Sequence, residues 1–237
     1  MFIFDKKIVL AKEIHNRKIK VTADGSHTFV LPDWKEHYHS VNGAISESRH
    51  VFIKNGLAQQ AEGLKEYHIL EVGFGTGLNA LLSLEYGKKK ALRLNYLGLE
   101  PYPFTLDEVK RLNYPKLVSG GIFSDVFMQM HELPFGKIAE FSKGFTFSKW
   151  QIGLDLAPLA SSSFHLVYHD AFAPQFQPQL WDEAAFGELY KALRTGGVLT
   201  TYSAKGSVKR ALRACGFSIE HPPGPAVKRE ITVALKQ

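Results

Sequence analysis

The sequence predicts a single α/β domain, with a mostly parallel sheet and helices against both faces. Three observations carry that expectation. From residue 68 onward, short apolar runs of buried-strand length alternate with segments of helical spacing, the pattern of successive strand–helix–strand units. The first run stops at a cluster of glycines, and a helix pattern begins directly after it. The chain has 237 residues, 45% of them apolar and 22% charged, which suffices for one large core and argues against wholesale disorder.

The elements follow in order. Lys18-Ile-Lys-Val-Thr22 alternates basic and β-branched residues and predicts a small hairpin or edge strands. Ile45, Ser48 and Phe52 share helical spacing, so residues 45–53 are expected to be a helix. Strands are predicted at 68–73, 94–100, 146–152, 164–170 and 197–202, and helices at 78–84, 182–193 and 208–214. Residues 217–220 and 230–235 close the chain as a strand pair that reverses one strand, joined through His221-Pro-Pro-Gly-Pro225. Residues 101–145 exceed what one crossover needs and predict an inserted helical segment. The whole is expected to be one domain over 1–237. It has a Rossmann-like, seven-stranded, mostly parallel sheet with one antiparallel strand, an N-terminal β extension over about 1–55 and the insertion.

Composition narrows the setting. The net charge of +6 favours a polyanionic partner, because basic side chains gain by releasing counterions. Cys215 is the single cysteine, which excludes an internal disulfide framework and a cysteine-rich zinc site. No apolar run reaches the roughly 20 residues needed to span a bilayer, and the N-terminus lacks the order of a signal peptide. A cytoplasmic protein without membrane contact is the expectation. The histidines, His37, His39, His50, His165 and His169 among them, show no metal-site spacing with a third ligand, so no metal is assigned.

The strongest motif is Glu71-Val-Gly73-Phe-Gly75-Thr-Gly77-Leu-Asn79. Glycines at a strand-to-helix turn let the backbone approach a ligand and present amide donors at a helix N-terminus. A dinucleotide fingerprint starting at Gly73 would place its third glycine at position 78, which is Leu78. The pattern is instead that of the first motif of Rossmann-like methyltransferases, with Glu71 orienting the loop or meeting a cofactor ammonium. Glu100 closes the next strand, where a carboxylate can accept both ribose hydroxyls of a nucleoside cofactor. Its plain alternative is a solvated acid at a strand end.

Asp170-Ala-Phe172-Ala-Pro174 also follows a strand, at the edge where open α/β sheets bind ligands. Methyl transfer from a sulfonium is a direct displacement that rewards alignment, and an amine nucleophile must arrive neutral. Asp170 could orient the cofactor or accept the amine's hydrogen, while Phe172 and Pro174 suit a flat acceptor; an N-capping Asp is the structural alternative. Lys205, Lys209, Arg210 and Arg213 share a helix, as a solvated face or as phosphate contacts. Lys228-Arg229-Glu230 opens the last strand, as edge charge or as a substrate clamp.

Together, Glu71–Asn79, Asp170–Pro174 with Trp181, 202–206, 228–230 and the upstream stretch from Tyr38 to Phe52 resemble the methyltransferase domain of the bifunctional wobble-uridine tRNA modification enzymes. The likeness runs over about residues 24–235. It implies S-adenosyl-L-methionine as cofactor, tRNA as partner, and methylation of the primary amine of 5-aminomethyl(-2-thio)uridine at the wobble position. It further implies cofactor binding by Glu71, Gly73, Phe74, Gly75, Gly77, Asn79, Glu100, Asp155 and Asp170. Asp170 would stand at the reacting centre, and Tyr38, Phe172, Pro174, Lys228 and Arg229 would lie at the substrate.

Two departures stand out. The chain ends at Gln237, so the resemblance is to a stand-alone methyltransferase branch, with a separate oxidase or aminomethyl-forming enzyme acting upstream. Where relatives carry an Asp directly after the glycine that ends the third strand, Gly153 is followed here by Leu154, and Asp155 comes one position later. A small-metabolite methyltransferase, an aminopropyltransferase-like enzyme and a catalytically silent RNA-binding module stay open as alternatives at this point.

Overall fold

The computed structural model describes residues 16–60, 64–225 and 228–237. The predicted N-terminal hairpin is strand β1 (Lys18–Val21) paired antiparallel with β2 (His27–Leu31), and β3 (Glu36–His37) adds a third strand on the other side of β2. Phe29 and Leu31 of β2 are buried, which anchors this small sheet to the body of the protein. Helix α1 (44–60) follows, wound as a π-helix through Arg49–Leu57. It buries Val51, Phe52 and Leu57, with Phe52 packed 5.1 Å from the ring of Tyr168.

The remaining elements are β4 (Glu66–Val72), α2 (Leu78–Lys90), β5 (Arg93–Leu99), α3 (Leu106–Val109), α4 (Tyr114–Ser119), α5 (Ser124–Glu132), β6 (Ile138–Ser142), β7 (Phe145–Trp150), β8 (Phe164–His169), α6 (Glu183–Ala192), β9 (Leu193–Thr201), α7 (Gly206–Ala214), β10 (Phe217–Glu220) and β11 (Thr232–Lys236). The main sheet runs β10-β11-β9-β8-β4-β5-β7-β6. Pairings β8–β9, β4–β8, β4–β5 and β5–β7 are parallel, whereas β9–β11, β10–β11 and β6–β7 are antiparallel.

Among the described residues the expected seven strands of this sheet are eight, and a second strand is reversed. The addition is β6, inside the segment expected to be helical only. It is an edge strand with no fully buried residue, so its sequence lacks the apolar run by which a central strand is recognised. The rest of that segment does hold three short helices, α3 to α5.

Strand alternation divides the core into two layers. Tyr67, Ile69, Tyr96, Phe147 and Tyr168 face one side, with α1 and α2. Leu70, Val72, Leu99, Val167 and Leu199 face the other, against Phe186 and Leu189 of α6 and Val208 and Leu212 of α7. Among the described residues, no helix is long and apolar enough to cross a membrane.

Candidate functional site

The chain steps outward from β4 through β5 to β7, then returns to lay β8 on the opposite side of β4. Crevices at such a reversal, beyond the carboxyl ends of the strands, are where open α/β sheets take ligands. Here the crevice is a cleft of about 320 Å³, lined at its base by Val72, Gly73, Leu99, Glu100 and Asp170.

Backbone geometry explains the glycines. Gly73 has φ +93°, and a Cβ there would lie 2.5 Å from the backbone oxygen of Asp170. The loop after β4 therefore touches the end of β8 directly. The amides of Gly73 and Phe74 both donate to the Leu99 carbonyl at 3.0 Å. Gly75, at φ +48°, donates its N–H to Glu100 Oε2 at 2.8 Å and lies beside the Tyr38 ring, which a Cβ there would approach to 3.5 Å. Glu100 Oε1 accepts from the Tyr102 amide, also at 2.8 Å. Burial pushes the Glu100 carboxyl up, opposed by those two amides and by Arg17.

The motif's other members stand behind the cleft rather than in its wall. Phe74 turns away onto His131 and Phe147, with ring centroids 5.1 and 5.4 Å apart. Gly77 caps α2 in a left-handed conformation against His131. Glu71 is fully buried and accepts from Asn79 Nδ2 and from the Tyr96 hydroxyl, each at 2.8 Å. Burial and the nearby Asp170 carboxylate raise the Glu71 carboxyl well above its usual range. The second hydrogen bond from Asn79 Nδ2, 2.8 Å long, reaches Asp170 Oδ2. Glu71, Asn79 and Asp170 thus form one chain of contacts, of which only Asp170 lines the cleft.

Burial pushes the Asp170 carboxyl up to about 7; Asn79 and Lys228 oppose the rise and Glu47 adds to it. Glu47, on α1, pairs with the Lys228 ammonium, and the Lys228 nitrogen lies 4.7 Å from the centroid of the Tyr202 ring. Glu47, Lys228 and Tyr202 all line the cleft. So does Glu36, which makes four carboxylates with Glu47, Glu100 and Asp170 against one lysine among the described residues.

Aromatic rings line the cleft and pack behind its lining. Tyr38 meets Phe172 edge-on at 4.8 Å, and Trp34 stacks on Phe176 at 5.5 Å. Phe172 is held in place by Trp181 Nε1, which donates to its carbonyl at 2.8 Å. The Tyr38 hydroxyl accepts from Arg17 Nε at 2.9 Å. Pro174 and Arg229 stand outside the lining, Arg229 with an exposed side chain. Beyond β7, Ile152, Gly153 and Leu154 form an apolar wall opposite Tyr102, and the exposed Asp155 is not part of it. Among the described residues, no group of three or more His, Cys, Asp and Glu is placed to hold a metal. His39 bonds the Thr76 hydroxyl at 2.7 Å, and burial lowers its imidazole to about 4.

Sequence reasoning missed Glu36, Glu47, Tyr202 and Arg17. Tyr202 follows a strand end, a positional signal that was available; Glu47 sits within an ordinary helix pattern and carries none.

Residues 152–237 match a family model described as S-adenosyl-L-methionine-dependent methyltransferase. The tRNA 5-methylaminomethyl-2-thiouridine biosynthesis bifunctional protein MnmC of Cupriavidus metallidurans is 31% identical over 86% of this chain and 32% of its own length. The protein of the same name from Polaromonas naphthalenivorans is 33% identical over 88% of this chain and 34% of its own. The chain spans about a third of the length of these curated relatives. The crystal structure of MNMC2 from Aquifex aeolicus superposes with a TM-score of 0.76 at 25% identity, covering 94% of this chain and 70% of that one. A spermidine synthase from Thermotoga maritima shares the fold, with a TM-score of 0.51 at 13% identity over 92% of this chain and 70% of that one.

Proposed function

We propose that this chain, an S-adenosyl-L-methionine-dependent methyltransferase similar to the methyltransferase portion of the MnmC proteins, methylates the primary amine of 5-aminomethyl(-2-thio)uridine in tRNA. The observation that carries the reading is the contact of Gly73 with the Asp170 backbone, which puts the glycine loop, Glu100 and a half-buried acid in one cleft.

The residues present fit the cofactor. Gly73 lets the loop close onto the end of β8, where a Cβ would strike the Asp170 carbonyl, and Gly75 presents bare backbone beside Tyr38 in the cleft lining. Each Glu100 oxygen accepts one amide and keeps a further lone pair for a ribose hydroxyl. Ile152, Leu154 and Tyr102 offer the apolar faces an adenine needs. When bound, the cofactor supplies an electrophilic methyl group on a sulfonium.

The chain's own residues prepare the nucleophile. Asp170, with its carboxyl near 7, takes one proton from the incoming ammonium and leaves the nitrogen lone pair free. Asn79 fixes the carboxylate through Oδ2 and leaves Oδ1 for the amine. Phe172 and Tyr38 supply aromatic edges and faces for a pyrimidine. The amine must be made by another reaction, one that installs or unmasks the aminomethyl group.

The test is mass analysis of tRNA nucleosides after incubation with the protein and methyl-labelled cofactor. A single labelled methyl on 5-aminomethyluridine is the expected product. Intact cofactor binding with no methylated nucleoside would transfer the reading to a small-molecule amine.

A further inference from the structure

Lys228 and Glu47 are 181 residues apart in sequence, yet they form an ion pair inside the cleft. The Lys228 ammonium also lies 4.7 Å from the centre of the Tyr202 ring. A carboxylate beside an aromatic face is a receptor for an alkylammonium group. The receptor is rigid: the Tyr202 hydroxyl donates to the Ala171 carbonyl at 2.9 Å, and its ring meets Trp181 edge-on at 5.9 Å. Glu47 is carried on a turn of helix, its side chain only 14% exposed. Asp170 lies within the electrostatic reach of both partners of the pair.

We propose that Glu47 and the face of Tyr202 form the subsite that receives the substrate's aminomethyl group as its ammonium, and that Lys228 fills this subsite until the substrate displaces it. The inference rests on the reading of the chain as an amine methyltransferase. Lys228 and the substrate present the same chemical head, a CH₂–NH₃⁺ group. Exchange of one for the other keeps the Glu47 carboxylate neutralised throughout, so no half-buried charge is left unpaired. The displaced lysine is then free for the anionic backbone of the substrate. A group with its own carboxylate meets Glu47 and Asp170 together and gains no such exchange. Glu47 is thereby a specificity-determining residue, distinct from the proton acceptor Asp170.

The experiment uses the full chain with ring-labelled tyrosine, the Tyr202 resonance being assigned through Tyr202→Phe, and ethylammonium chloride as probe. In Lys228→Ala the probe should shift the Tyr202 resonance saturably, at concentrations about tenfold lower than in wild type. The added substitution Glu47→Gln should abolish the response while the affinity for S-adenosyl-L-methionine stays unchanged. With tRNA carrying 5-aminomethyluridine, Glu47→Gln alone should raise KM about tenfold. No response in Lys228→Ala with cofactor binding intact overturns the subsite, as does an unchanged KM in Glu47→Gln. A clean response beside a wild-type protein that leaves this tRNA unmethylated upholds the subsite and refutes the tRNA reading.

Discussion

Asn79 donates a hydrogen bond to Asp170, Nδ2 to Oδ2 at 2.8 Å, from the first turn of helix α2. This N–H holds the Asp170 carboxyl below the position that burial and Glu47 would set together. In Asn79→Ala the pH midpoint of the single-turnover rate should move upward from the wild-type value. The variant should also lose about 1–3 kcal/mol of stability, because Glu71 Oε1 is left without its donor in a fully buried place. Coincident midpoints would separate Asn79 from the proton on Asp170.

Asp170→Asn should slow methyl transfer by about a hundredfold or more. The wild-type rate should climb with pH through about 7, as the carboxyl loses its proton and can accept the amine's. Stability runs the other way. The folded carboxyl titrates near 7, above its value of about 3.9 in an unfolded chain. Between those values the folded state binds more proton, so this group's contribution falls as pH rises across the window. Cofactor-free Asp170→Asn should therefore melt above wild type at pH 8, and the gap should close toward pH 4. A gap that widens on acidification would contradict the shift.

Gly75→Val should remove cofactor binding while leaving the fold intact. Gly75 sits at φ +48°, where a β-branched residue is strained, and any side chain enters the space between the loop and Tyr38. Calorimetric titration against S-adenosyl-L-methionine, with circular dichroism as control, checks it. Undiminished affinity would take the loop out of the cofactor site.

Helix α7 buries Val208, Ala211 and Leu212 and turns Arg210 and Arg213 to solvent, while Lys209 is bound to Glu230 at 2.5 Å. Arg210 and Arg213 are thus the cleaner probes of RNA contact. If this face meets tRNA, reversing either charge should lower the slope of log affinity against log salt by about 1 for each phosphate that the arginine neutralises. An unaltered slope assigns the helix face to solvent.

The strands that build the site were legible because they are buried on both faces and read as apolar runs. Strands β4, β5 and β8 are of this kind; β4 and β5 end on the cleft residues Val72 and Leu99, and β8 ends one residue before Asp170. Strand β6 escaped because an exposed edge leaves no such run. The glycine motif announced a ligand loop but not the division of labour within it. Whether Asn79 faces the cofactor or ties Glu71 to Asp170 depends on side-chain direction, which spacing does not encode. The Glu47–Lys228 pair was invisible for a different reason, since residues 181 positions apart share no local pattern.

The carboxylate-lined cleft lies in a chain of net charge +6, and the two signs act over different ranges. At physiological ionic strength fields between exposed charges fade over about 8 Å, so a polyanion approaching from bulk is drawn by surface lysines and arginines. Within the cleft, the carboxylates Glu36, Glu47 and Asp170 act at short range on partly buried sites, where salt screens them much less. Raising the salt should therefore weaken capture of the macromolecule far more than it weakens the choice of the chemical group admitted. Affinity and selectivity become separately adjustable properties, the first by exterior substitutions and the second by interior ones.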